Sequence, residues 1–150
     1  LLAVLALAVQ SFLPVHFDFA RLLDLPLLVV VYFGMTRRNA SHGVVVGSLV
    51  GLAQDSLTRG PLGMNGIVKT VIGYVTTFLS VRFDVDNRLF RFTISLICYW
   101  LNYFLLLMMS ALLLRFPIPF DGLLRLLASL VNSIIGVLLF SMLDRFRRQA

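Results

Sequence analysis

The sequence predicts an all-α protein, a polytopic membrane bundle of about six transmembrane helices, on three observations. Of its 150 residues, 59% are hydrophobic and only 13% are charged, and the mean hydropathy is +0.95, a composition that suits lipid rather than water. The apolar residues fall in six long runs with short polar breaks between them; no linker or low-complexity tract interrupts the pattern, so residues 1–150 read as one integral membrane domain. The 13 basic residues, all arginine except Lys69, lie mostly at the edges of those runs, where membrane topology puts them. A pI near 10.5 therefore does not by itself point to nucleic acid.

The first run, Leu1–Leu13, starts without a methionine, lacks a basic n-region and is followed by further spans. It reads as the tail of a clipped first helix rather than as a signal peptide. The second, Leu22–Met35, has only 14 residues, against the roughly 20 that a helix needs to cross the hydrocarbon. With Asp24 and Pro26 at its start, it is expected to be a short, broken or steeply placed span. The remaining runs, Ala40–Leu57, Leu62–Val81, Leu89–Leu114 and Leu123–Leu143, reach spanning length or nearly so.

Six helices with an internal N-terminus put Arg37, Arg38, Arg82, Arg88, Arg91, Arg145, Arg147 and Arg148 inside, and Arg21, Arg59, Arg115 and Arg125 outside. Positive charge beside a helix end resists translocation, so both termini are expected in the cytoplasm.

A protein with almost nothing outside the bilayer acts through its intramembrane surface, its interior or its short loops. The polar and small residues within the runs therefore carry the functional information. Gly43, Gly47 and Gly51 recur every four residues and lead to Asp55. Such a stripe lets a neighbouring backbone approach closely, either inside the bundle or on a partner protein.

The next run brings Asn65, Lys69 and Gly73 along a similar stripe. An intramembrane Asp55 and Lys69 each need a partner or water, and two readings are open. They pair with each other across the hairpin, the long lysine stem bridging a mismatch of about one helical turn. Alternatively Lys69 snorkels to the external interface, while Asp55 accepts backbone N–H bonds in the turn. Between them, Gly60 and Pro61 form a stop-and-start signal. Asn102 in the fifth run, and Ser129, Asn132, Ser133 and Gly136 in the sixth, read as polar and small-residue packing between helices.

Catalysis finds little support. His16 and His42 lie at run edges on opposite sides, and the chain has no HExxH, GxSxG, Cys/His cluster or paired acidic motif. Cys98, the one cysteine, sits within an apolar run and reads as a core-facing thiol. The protein is expected to be no enzyme and to hold neither metal nor cofactor.

The stretch GSLVGLAQDSLTRGPLGMNGIVKTVIGYV resembles the central region of the bacterial rod shape-determining MreD family. Gly51, Gln54, Asp55, Gly60, Pro61, Leu62, Gly63, Asn65, Gly73 and Tyr74 occupy the motif positions. The upstream DLPLLVVVYFGMTRR is similar to the family's second helix. That family often has proline before the acid there, whereas this chain reads Asp24-Leu25-Pro26, so no role carries over to Asp24.

The resemblance implies a non-catalytic component of the cell-wall elongation machinery, the elongasome, in the bacterial inner membrane. Such a protein binds the single-span MreC and works with MreB, RodA and its transpeptidase in lateral peptidoglycan synthesis. The family's bundle is also similar to the substrate-binding subunits of energy-coupling-factor transporters, so the rival reading is a vitamin-like small-molecule binding subunit. Asn102 with Tyr99, Trp100 and Tyr103 is the polar and aromatic group such a carrier would use.

Overall fold

The computed structural model describes residues 23–36, 39–58, 63–85, 87–113 and 122–149. The described residues form five helices and no strand: α1 Leu25–Thr36, α2 Ala40–Leu57, α3 Met64–Arg82, α4 Arg88–Leu113 and α5 Gly122–Gln149. The first predicted run, Leu1–Leu13, lies outside the described residues. Among the described residues, three helices are long and apolar enough to cross a membrane: Met64–Arg82, Arg88–Leu112 and Gly122–Arg145. α2 has 18 residues but carries His42, Gln54 and Asp55, and α1 has only 12.

Short as it is, α1 is neither broken nor peripheral. Asp24 caps it by accepting the Leu27 N–H at 3.0 Å, and Pro26 falls in the first turn, where no intrahelical donor is needed. Pro26 through Tyr32, Gly34 and Met35 are all buried. A helix apolar on every side belongs in a core, and α1 is the element around which the other four assemble. Leu27, Leu28, Val30 and Val31 pack in one cluster with Ile72 of α3, Ile94 and Cys98 of α4, and Ala128 and Phe140 of α5.

α2 begins at Asn39, whose side chain accepts the Ser41 N–H at 3.1 Å. It ends at Thr58, which donates its N–H and its hydroxyl to the Gln54 carbonyl. α3 starts from Gly63 at φ 96°, a left-handed conformation that glycine adopts without a Cβ penalty.

The distribution of polarity suits a lipid solvent. Leu49, Phe104, Leu112, Leu123 and Leu138 are exposed, while Asp55, Lys69, Asn102, Asn132 and several serines and threonines are buried.

Candidate functional site: a polar interior held between glycine-packed helices

α2 and α3 lie antiparallel with their backbones in direct contact, and the glycine stripe is the reason. A Cβ added at Gly43 would strike the Gly73 carbonyl and the Thr77 hydroxyl. One at Gly47 would strike the Lys69 carbonyl and come within 2.9 Å of Thr70 Cα, and one at Gly51 would meet Asn65 and, at 2.6 Å, Gly66 Cα. Each four-residue step along α2 thus meets a four-residue step back along α3. In this structure the stripe is taken up within the chain, by α3.

Asp55 ends the stripe and ties the hairpin together. Its Oδ2 accepts the N–H groups of Gly63 at 2.9 Å and Gly66 at 3.0 Å. Its Oδ1 accepts the Asn65 N–H at 3.1 Å and the Asn65 side-chain amide at 2.9 Å. The first N–H groups of a helix have no intrahelical acceptor, and a carboxylate there also faces the positive end of the helix dipole. Asp55, in the last turn of α2, therefore caps the start of α3. Of the other hairpin residues, Gln54 has its Oε1 buried without a hydrogen-bond partner, and Tyr74 is exposed on α3. Gly60, Pro61 and Leu62 lie outside the described residues.

Lys69 does not pair with Asp55, nor does it snorkel to an interface. It is wholly buried, and its Nζ lies 3.4 Å from Asp24 Oδ2 at the head of α1. Asn102 of α4 donates its Nδ2 to the same Asp24 oxygen at 3.3 Å. Asn132 of α5 accepts the Asp24 backbone N–H through Oδ1 at 3.0 Å, and donates Nδ2 to the Ala128 carbonyl at 2.9 Å. One aspartate thus joins four helices at a single point. Removing two charges from water is costly, and mutual pairing with added hydrogen bonds offsets that cost.

The serines of α5 behave differently from the interhelical packing expected of them. Ser129 and Ser133 are buried but return their hydroxyls to the carbonyls of Leu126 and Ser129 on their own helix. Gly136 makes the close approach instead: a Cβ there would meet Leu28 Cδ2 at 3.0 Å and Ser95 Oγ at 3.1 Å.

A second polar junction, absent from the sequence reading, lies at the other end of the bundle. Arg91 Nη2 of α4 pairs with Asp144 Oδ2 of α5 at 2.6 Å, and the Tyr32 hydroxyl of α1 donates to Asp144 Oδ1 at 3.3 Å. Arg91 Nε also donates to the Val85 carbonyl at 2.7 Å, anchoring the segment that joins α3 to α4. Arg91 is read in sequence as a topology charge, and nothing local marks Asp144 as its partner.

His42 sits in the first turn of α2 with its ring 6.4 Å from that of Phe33. Among the described residues, no group of three or more His, Cys, Asp or Glu is placed to hold a metal ion. The chemistry on view is charge neutralisation and hydrogen bonding between helices.

Residues 1–146 match the family model described as rod shape-determining protein MreD. No curated protein and no solved structure matches the chain. The match covers nearly the whole sequence and includes the hairpin that Asp55 caps. The chain belongs to the MreD family of rod shape-determining proteins.

Proposed function

We propose that this protein is a non-catalytic membrane scaffold of the cell-wall elongation machinery, binding a single-span MreC-type partner and supporting peptidoglycan synthesis alongside MreB, RodA and its transpeptidase. The observation that carries this reading is the family match over residues 1–146. The structure is compatible with it: Asp24, Lys69 and Asp55 are engaged with other helices, as befits a rigid support.

The same reading has one membrane domain over residues 1–150, with six spans, both termini in the cytoplasm, and a bundle similar to that of energy-coupling-factor substrate-binding subunits. Because α3 covers the glycine stripe, the partner docks on the outward apolar faces of the helices rather than on Gly43, Gly47 or Gly51.

Depletion in rod-shaped cells tests the function. Cells losing the protein are expected to widen and round, and a plasmid copy should restore the rod; unaltered rods after full depletion would remove the proposal.

A further inference from the structure

The outward face of α3 carries a row of side chains that neither junction uses. Tyr74, Phe78 and Arg82 follow one another at four-residue steps and are all exposed. The rings of Tyr74 and Phe78 stack at 6.4 Å, and the Arg82 guanidinium carbon lies 4.6 Å over the Phe78 ring. Among the described residues Arg82 pairs with no acid and donates to no acceptor, whereas Arg91 nearby is taken up by Asp144. A guanidinium resting its face on a ring keeps the N–H groups of its edge free, in the fork that matches phosphate oxygens.

The charge around Arg82 favours an anion. Contacts of Tyr32 with Asp144, of Phe33 with His42, and of Arg91 with both Asp144 and the Val85 carbonyl gather one end of every described helix. The sequence at those helix ends, 36–42, 82–91 and 144–149, holds eight arginines and three aspartates. Tyr74 stands eight residues before Arg82, about 12 Å along the helix, which keeps the row within the roughly 15 Å of one hydrocarbon leaflet.

The shape of the face favours a lipid chain over a protein helix. Helices that associate in lipid use small residues for close approach, and those of α3 are spent on α2: a Cβ at Gly66 would meet Leu52, and one at Gly73 would strike the Gly43 carbonyl. The exposed residues of α3 are Ile67, Val71, Tyr74, Phe78, Val81 and Arg82, none of them small.

The geometry points to a binding site for an anionic phospholipid on α3, with its phosphate at Arg82 and an acyl chain along Phe78 and Tyr74. This site requires that the chain lie in a bilayer and does not depend on the scaffold reading, since it leaves the outward faces of the other helices to a partner.

The test is native mass spectrometry of the full chain released from nanodiscs that hold equal amounts of dioleoyl phosphatidylglycerol and dioleoyl phosphatidylcholine. The two lipids share their acyl chains, so a preference reports the headgroup. The chain is expected to retain phosphatidylglycerol over phosphatidylcholine roughly fivefold, the equivalent of about 1 kcal/mol for one arginine at a membrane surface. Arg82→Gln should abolish the preference. Phe78→Leu, which keeps every charge, should lower it, and Arg145→Gln, an exposed arginine at the same end, should leave it unchanged.

Equal retention of the two lipids by the unaltered chain would overturn the proposal. So would equal losses at Arg82 and Arg145, which mark diffuse attraction, or a Phe78→Leu chain with its preference intact. Glycerol 1-phosphate added beforehand should not remove the preference; removal would make this a phosphate site with no part for the acyl chain. Retention of a protein that Arg82→Gln releases, without any lipid preference, would give the face to a partner helix and end the proposal.

Discussion

Lys69 and Asp24 stand 45 residues apart in sequence, and their side chains meet at 3.4 Å in the interior, the lysine wholly buried. With Asn102 and Asn132 on the same aspartate, this pair joins α1, α3, α4 and α5. Removing one member of a buried pair leaves an uncompensated charge, typically at a cost of about 3–5 kcal/mol. Lys69→Met should therefore destabilise the protein by about 3 kcal/mol in equilibrium unfolding in mixed micelles. Asp24→Asn with Lys69→Met should lose less than the sum of the two single changes. Strict additivity would show that the pair is not coupled.

The glycines of the α2–α3 contact should differ in what they tolerate. At Gly47 an added methyl meets the α3 backbone, which cannot move aside, whereas at Gly66 it meets the flexible end of Leu52 at 3.0 Å. Gly47→Ala is expected to destabilise by about 1–3 kcal/mol, and Gly66→Ala by clearly less. Gly47→Leu should abolish the folded bundle. Thermal unfolding of the three variants checks the order, and equal losses at Gly47 and Gly66 would speak against direct backbone contact.

Asp55 accepts four hydrogen bonds from the start of α3. Asp55→Ala would leave buried donors unpaired at about 1–3 kcal/mol each, and should speed amide exchange at Gly63, Asn65 and Gly66. Because Lys69 is not its partner, exchanging the charges in an Asp55→Lys, Lys69→Asp double variant should rescue nothing. Recovery in the double variant would restore the hairpin pair.

At the opposite junction, Arg91 and Asp144 are partly exposed, so their contact is weaker in energy than its 2.6 Å length suggests. Arg91→Ala is expected to cost about 1–2 kcal/mol, more than Tyr32→Phe, which removes the 3.3 Å hydrogen bond to Asp144. The ranking is read from unfolding midpoints, and a larger loss for Tyr32→Phe would contradict it.

What the sequence disclosed follows from what is local. The limits of α2 are legible because Asn39 and Thr58 cap it on either side, and the predicted run Ala40–Leu57 coincides with the helix. The close approach expected of Gly43, Gly47 and Gly51 is legible from their spacing; which helix comes close is decided by assembly. The central position of α1 is not legible, because an all-apolar helix reads alike whether lipid or protein surrounds it.

Lys69 illustrates the same limit. The nearest acid in sequence, Asp55, was already committed to the N–H groups of α3, a competition that spacing alone does not reveal. The useful signal was Asp24 itself, an acid placed to cap a short apolar helix carrying Pro26 in its first turn. Asp144 and Arg91 gave no comparable sign, since each looks like an ordinary charge at the end of a span.

The measurement that bears most directly on the proposed scaffold is affinity purification of the tagged full chain from gently solubilised membranes, with bound proteins identified by mass spectrometry. The account predicts MreC in a fixed ratio to the chain, retained when Lys69 and Asp24 are intact and lost when Gly47→Leu disrupts the bundle. Recovery of folded, monodisperse chain without MreC, from cells that express both, would contradict it.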